Sequence, residues 1–93
     1  MHVIAATLQL SLPSRTLKEK RSIVKSLLAR ARNNFNVAAA EVDFHDQHDT
    51  ALLGFVAVSE NRSKARQLLE QLAEWVERER PDVDLVAVEI EER

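Results

Sequence analysis

The chain has no cysteine and no tyrosine, and in 93 residues only one glycine, one tryptophan and two prolines. Without cysteine there is no disulfide framework and no thiolate metal site. That composition agrees with a cytoplasmic protein, which is the expected location. A single glycine leaves no glycine-rich loop to cradle phosphates, and neither G-x-S-x-G nor H-E-x-x-H occurs. No cofactor, no catalytic residue and no small-molecule substrate is therefore assigned, and the expectation is a protein that is not an enzyme. No stretch approaches the roughly 20 apolar residues of a membrane span, so no membrane partner is expected. The start, from Met1 to Leu12, lacks a basic segment before its apolar residues and does not read as a signal peptide.

What is present suits one globular domain, 1–93, with a hydrophobic fraction of 45% and a charged fraction of 30%. The core of so small a domain is modest, and a partner subunit would help it. The net charge is only −2 but is unevenly placed. Residues 1–35 hold seven cations and one acid, and residues 36–93 hold six cations and fourteen acids. Such asymmetry points to a polar interaction surface, or to pairing of the two halves within the monomer or across an oligomer.

Val3 to Leu12 alternates with a period of two, which predicts a strand whose even positions meet the helices. Pro13 ends it. Thr16 fits a helix N-cap with Glu19 completing a capping box, and the helix runs from Leu17 to Asn33 or Asn34. At 100° per residue, Leu17, Val24, Leu27, Leu28 and Ala31 share one side, with Ile23 at its margin. Lys18, Arg21, Lys25 and Arg32 form a flank beside Leu28. Lys20 falls in the apolar sector, so its stem is expected to pack while its ammonium snorkels to water. The Asn33-Asn34 pair can supply a left-handed helix stop.

Phe35 to His45 reads as a second strand, with Val37, Ala39 and Glu41 on one face and Ala38, Ala40, Val42 and Phe44 on the other. A bulge near Ala40-Glu41 would account for its mixed pattern. Ala51 to Ser59 is apolar on both faces and reads as a central strand. Gly54 within it implies a bulge or a close approach. Ser59 or Asn61 caps a second helix, Arg62 to Arg80, with Ala65, Leu68, Leu69, Leu72, Trp75 and Val76 as its apolar stripe. Val83 to Glu91 is a last strand whose acids suit an edge. The order βαββαβ with right-handed crossovers predicts a ferredoxin-like α+β fold: a four-stranded antiparallel sheet, order 4-1-3-2, with both helices on one face.

The stretches Thr16 to Arg21, Val24 to Leu28, Arg30 to Val37 and Ala40 to Asp43 (T-L-K-E-K-R, V-K-S-L-L, R-x-R-N-x-F-N-V and A-E-V-D) resemble the YlxP-like family of small bacterial proteins of unknown function. Leu53 to Ser59 also fits. The resemblance implies a ferredoxin-like fold. In many bacteria the family's gene neighbours those of translation initiation and ribosome-binding factors, which implies a ribosomal or RNA-linked role by association. After Asp43 the family often continues His-Gln-Asp-x-Trp, whereas this chain reads Phe44-His45-Asp46-Gln47-His48.

Four groups of residues are candidates for function. Arg15, Lys18, Arg21, Lys25 and Arg32 can track a nucleic-acid backbone by displacing counterions, and the plainer reading is a solvated face. The pI of 5.9 and the scarcity of aromatics weigh against binding, and the sheet does not read as a base-stacking platform. His45, Asp46, His48 and Asp49 have the chemistry of metal ligands, but a polar hairpin loop is the plainer reading and no metal is assigned. Glu41 and Asp43 share a strand face, as paired carboxylates or as charges guarding an edge. The sheet face away from the helices is the expected homodimer surface, through Val3, Ala5 and Thr7 with Leu53 and Phe55. Either Leu53, Phe55 and Ala57 or Leu52, Val56 and Val58 must point that way. The leading expectation is a ribosome- or RNA-associated accessory factor using the basic helix face. The contrasting one is a homo-oligomeric interaction module with no nucleic-acid role.

Overall fold

Strands and helices follow these signals closely in the computed structural model, which describes residues 1–93. In chain order they are β1 His2–Ser11, α1 Leu17–Asn34, β2 Ala38–Asp43, β3 Thr50–Ser59, α2 Arg62–Glu79 and β4 Asp84–Glu92. All three strand pairings are antiparallel, in the order β2-β3-β1-β4. The architecture is the α+β ferredoxin-like one, with β1 and β3 central.

The phase of β1 fixes the two faces. Ile4, Ala6, Leu8 and Leu10 are buried against the helices, and they pair with Ala57, Phe55, Leu53 and Ala51 of β3. The helices close this core with Val24, Leu27 and Ala31 from α1 and Ala65, Leu69, Leu72 and Val76 from α2. Phe35 meets Trp75 edge to face at 5.7 Å, which joins the end of α1 to α2.

The helix starts are built as the residue types require. Thr16 Oγ1 accepts from the Glu19 amide at 3.1 Å, and the Glu19 carboxylate accepts from the Arg15 amide at 3.3 Å. Of the two candidate caps on α2, Asn61 takes the role, accepting from the Lys64 amide at 3.1 Å. Three expectations need correction. Helix α1 does not end on a left-handed asparagine: its C-cap is Phe35 in extended conformation, and Asn34 donates back to the Arg30 carbonyl instead. Strand β2 is shorter at both ends than expected: Phe35 and Val37 pack on the core without joining the ladder, and Phe44 and His45 belong to the hairpin turn. The bulge falls between Glu41 and Asp43, slightly later than the sequence indicated.

Gly54 is placed where a neighbour comes close. A Cβ there would lie 3.0 Å from Val42 Cγ1. The bulge swings Val42 over the glycine, so the missing side chain makes room for the edge strand.

Candidate functional site

Two surfaces carry the candidate residues, and the helix spacing decides where each lies. Around α1, Lys20, Val24, Leu27 and Ala31 face the sheet and are buried. Arg30 lies to one side of that sector and pairs with Glu79 of α2. Arg32 lies to the other side and donates to the Ala39 carbonyl of β2 at 3.2 Å. The flank with Lys18, Arg21, Lys25 and Arg32 therefore turns away from α2 and follows the edge strand β2.

Most cations elsewhere in the chain have a carboxylate partner, Lys64 excepted. Arg62, Arg66, Arg78, Arg80 and Arg93 each lie within 4.0 Å of a carboxylate. Arg15, Lys18, Arg21 and Lys25 are exposed and have no ion pair, and Arg32 bonds only to a backbone carbonyl. Pairing of α1 with the acidic half inside the monomer is thus confined to Arg30 and Lys20.

Lys20 departs from expectation. Its side chain is 1% exposed, and its ammonium donates to the Phe44 carbonyl and lies 3.0 Å from Glu41 Oε2. That oxygen has no aligned hydrogen bond, so the contact with Glu41 is an ion pair alone. The ammonium does not reach water because the β2–β3 hairpin folds over it. Glu41 turns inward to Lys20, while Asp43 is exposed and accepts from the Phe44 amide at 2.7 Å. The two carboxylates are not brought together as a pair.

Phe44 is the one non-glycine residue with a positive φ, 63°. That conformation is uncommon for a bulky side chain and is held here by its surroundings. Its carbonyl takes both the Lys20 ammonium and the Gln47 amide. The same hairpin is tied to the start of α1 by Ser14 Oγ, which donates to the His48 carbonyl, and by Leu12, whose amide donates to Asp49. The loop's backbone thus serves structure. No three His, Asp or Glu side chains converge to hold a metal ion, and His45 reaches only the Glu41 carbonyl, at 3.3 Å.

The open face of the sheet is the second surface. Val3, Ala5 and Thr7 lie on it, half-buried. Leu53 and Phe55 do not: they are 0% and 1% exposed and belong to the core, because β3 pairs in phase with the even positions of β1. Leu52, Gly54, Val56 and Val58 occupy the open face in their place. Val58 is 57% exposed and Val42 50%. A shallow apolar depression of about 430 Å³ runs over Ala5, Ala40, Val42, Gly54 and Val56.

Toward the hairpin the face changes character. A smaller depression of about 200 Å³ is lined by Thr7, Gln9, Phe44, Leu52, Ala87 and Glu89. Phe44 thus borders the open face at its hairpin end. Strand phase does not account for it, since the bulge breaks the alternation of Ala38, Ala40 and Val42 before Phe44; the left-handed turn at Phe44 places the ring there. The alternation of β1 placed Gln9 on the open face, whereas nothing in the sequence brought Glu89 beside it.

A family model described as a protein of unknown function (DUF503) matches residues 3–90. The chain belongs to this family. It is 32% identical over 62 residues to the uncharacterized protein YlxP of Bacillus subtilis (strain 168), a match covering 67% of each chain. No helix is long and apolar enough to cross a membrane.

Proposed function

We propose that this protein is a non-enzymatic RNA-binding accessory factor that holds a phosphate backbone along the outer flank of α1. The observation that carries the reading is the pairing difference. Arg15, Lys18, Arg21 and Lys25 stand exposed without an ion pair, while every other arginine except Arg32 pairs with a carboxylate and Lys64 alone of the cations outside α1 is unpaired. Three free cations on one capped helix, with Arg15 just before its cap, release counterions when they meet phosphates, which is a sequence-independent source of affinity. The acidic remainder of the chain limits this attraction to one flank, so orientation is imposed by charge. The family resemblance adds the ribosomal association of its gene neighbours. The test is binding to structured RNA by wild type and by the Arg21→Glu, Lys25→Glu double variant. Loss of binding in the variant is expected, and equal binding would remove the flank as the site.

A second reading rests on the apolar half of the open face. Val42, Val56 and Val58 are exposed large aliphatic side chains beside Val3, Ala5, Ala38 and Ala40. A patch of this kind on a small domain favours association. A two-fold homodimer through it leaves both α1 flanks outward, so the two readings are compatible.

A further inference from the structure

We propose that the depression between Phe44 and Glu89 takes an unpaired guanine base of a single RNA strand. This inference rests on the RNA reading and adds to it a specific subsite. The chemistry of the lining carries it. Phe44 and Leu52 offer apolar surface to a flat ring. Gln9 and Thr7 are half-buried on the open face, yet neither side chain has an intramolecular hydrogen bond. Glu89 is exposed and has no cation within ion-pairing distance. A carboxylate accepts and does not donate. It therefore selects a base with adjacent N–H donors, and guanine presents two, N1–H and the N2 amino group, along its Watson–Crick edge. Adenine offers one amino group there and uracil one N–H. The Gln9 amide and the Thr7 hydroxyl can each donate to, or accept from, the remaining polar atoms of the ring. No cation lines the depression, so a phosphate is not held in it.

The site is also built and not incidental. The left-handed Phe44 backbone is held by the buried Lys20 ammonium, the Gln47 amide and the Asp43 carboxylate. Strained residues fixed in this way concentrate at functional positions. The depression is small, about 200 Å³, which suits one ring system and not a stack of them. Its position fits the backbone reading as well. Lys20 lies between Lys18 and Arg21 on α1 and grips the Phe44 carbonyl, so the start of the basic flank and the depression adjoin the same hairpin. A strand on the flank can turn one base around the β2 edge onto the sheet.

The experiment is a titration of isotope-labelled protein, followed by amide NMR shifts. The probes are a pentanucleotide AAGAA, the oligomers AAAAA and UUUUU, and guanosine monophosphate. Saturable shifts at Thr7, Gln9, Phe44, Leu52 and Glu89 with AAGAA, and not with AAAAA or UUUUU, are expected. Phe44→Ala should weaken AAGAA binding about tenfold, the scale of a lost base–aromatic stack. Glu89→Gln, on an exposed strand position where folding is not at stake, should abolish the preference for AAGAA. Shifts confined to α1 and equal for all three oligomers would overturn the base site while leaving the flank reading intact. Absence of shifts anywhere would also overturn the base site, and the flank reading would then stand or fall on structured-RNA binding. Guanosine monophosphate binding as tightly as AAGAA would overturn the RNA strand as the source of the base.

Discussion

The buried ammonium of Lys20 donates to the carbonyl of Phe44, joining the helix layer to the one left-handed residue of the hairpin. A lysine is seldom fully buried without partners, because the charged group loses its water. Here the partners are a carbonyl and the inward-turned Glu41. The contact fixes where the hairpin ends and where the Phe44 ring stands.

Replacing Lys20 with Met keeps the apolar stem and removes both contacts. A loss of about 2–3 kcal/mol in urea unfolding is expected, less than for a fully buried pair because Glu41 keeps some contact with water. Adding Glu41→Leu should recover part of that loss, since the uncompensated carboxylate is then gone. A single variant as stable as wild type would mean that the ammonium contributes nothing.

Gly54 gives a smaller effect with a defined cause. In Gly54→Ala the new Cβ meets Val42 Cγ1 at 3.0 Å, but Val42 is half exposed and has room to move. A destabilisation of about 1 kcal/mol or less is expected, and Val42→Ala in the same chain should relieve it. A loss that persists in the double variant would place the strain in the backbone.

Stability should also fall in acid for a local reason. Hydrogen bonding from Arg80 holds the Asp82 carboxyl below its ordinary 3.8, and hydrogen bonding from His2, helped by Arg62, holds Glu92 below 4.5. Both depressed values contribute stability that is present above the ordinary carboxylate range and is lost as the pH falls through the folded-state values. Both groups are solvent-exposed, so the contribution is small. Thermal unfolding between about pH 5 and pH 2 should show a shallower decline in Asp82→Asn than in wild type. An identical decline would deny Asp82 a part in it.

The apolar half of the open face predicts concentration-dependent association. Light scattering across dilution should show a dimer that Val56→Lys converts to a monomer, since a charge at the centre of such a contact is left unpaired. A strict monomer at high concentration would remove the sheet-face dimer.

The fold was legible because its signals were local and redundant. The alternation of β1, the Thr16 cap and the apolar stripe of α2 each point to one element, and the order of elements leaves few topologies. Strand β3 was ambiguous for a physical reason. It is apolar on both sides, so nothing in Leu52 to Val58 says which set faces inward until its pairing with β1 is known. Lys20 was half legible: its place in the apolar sector was clear, but not the hairpin that closes over its ammonium. The basic flank could be read from spacing, whereas its lack of partners is a tertiary fact. The depression beside Phe44 draws on β1, β3, β4 and the hairpin together, and no single stretch announces it.

The most direct test of the account is the salt dependence of binding to a structured RNA. If Arg15, Lys18, Arg21 and Lys25 each neutralise one phosphate, the slope of log K against log salt should be roughly −3 to −4 for wild type. In the Arg21→Glu, Lys25→Glu variant binding should drop more than about tenfold and any remaining slope should be half as steep or less. Equal affinities and equal slopes would contradict the assignment of the α1 flank as the RNA-binding surface.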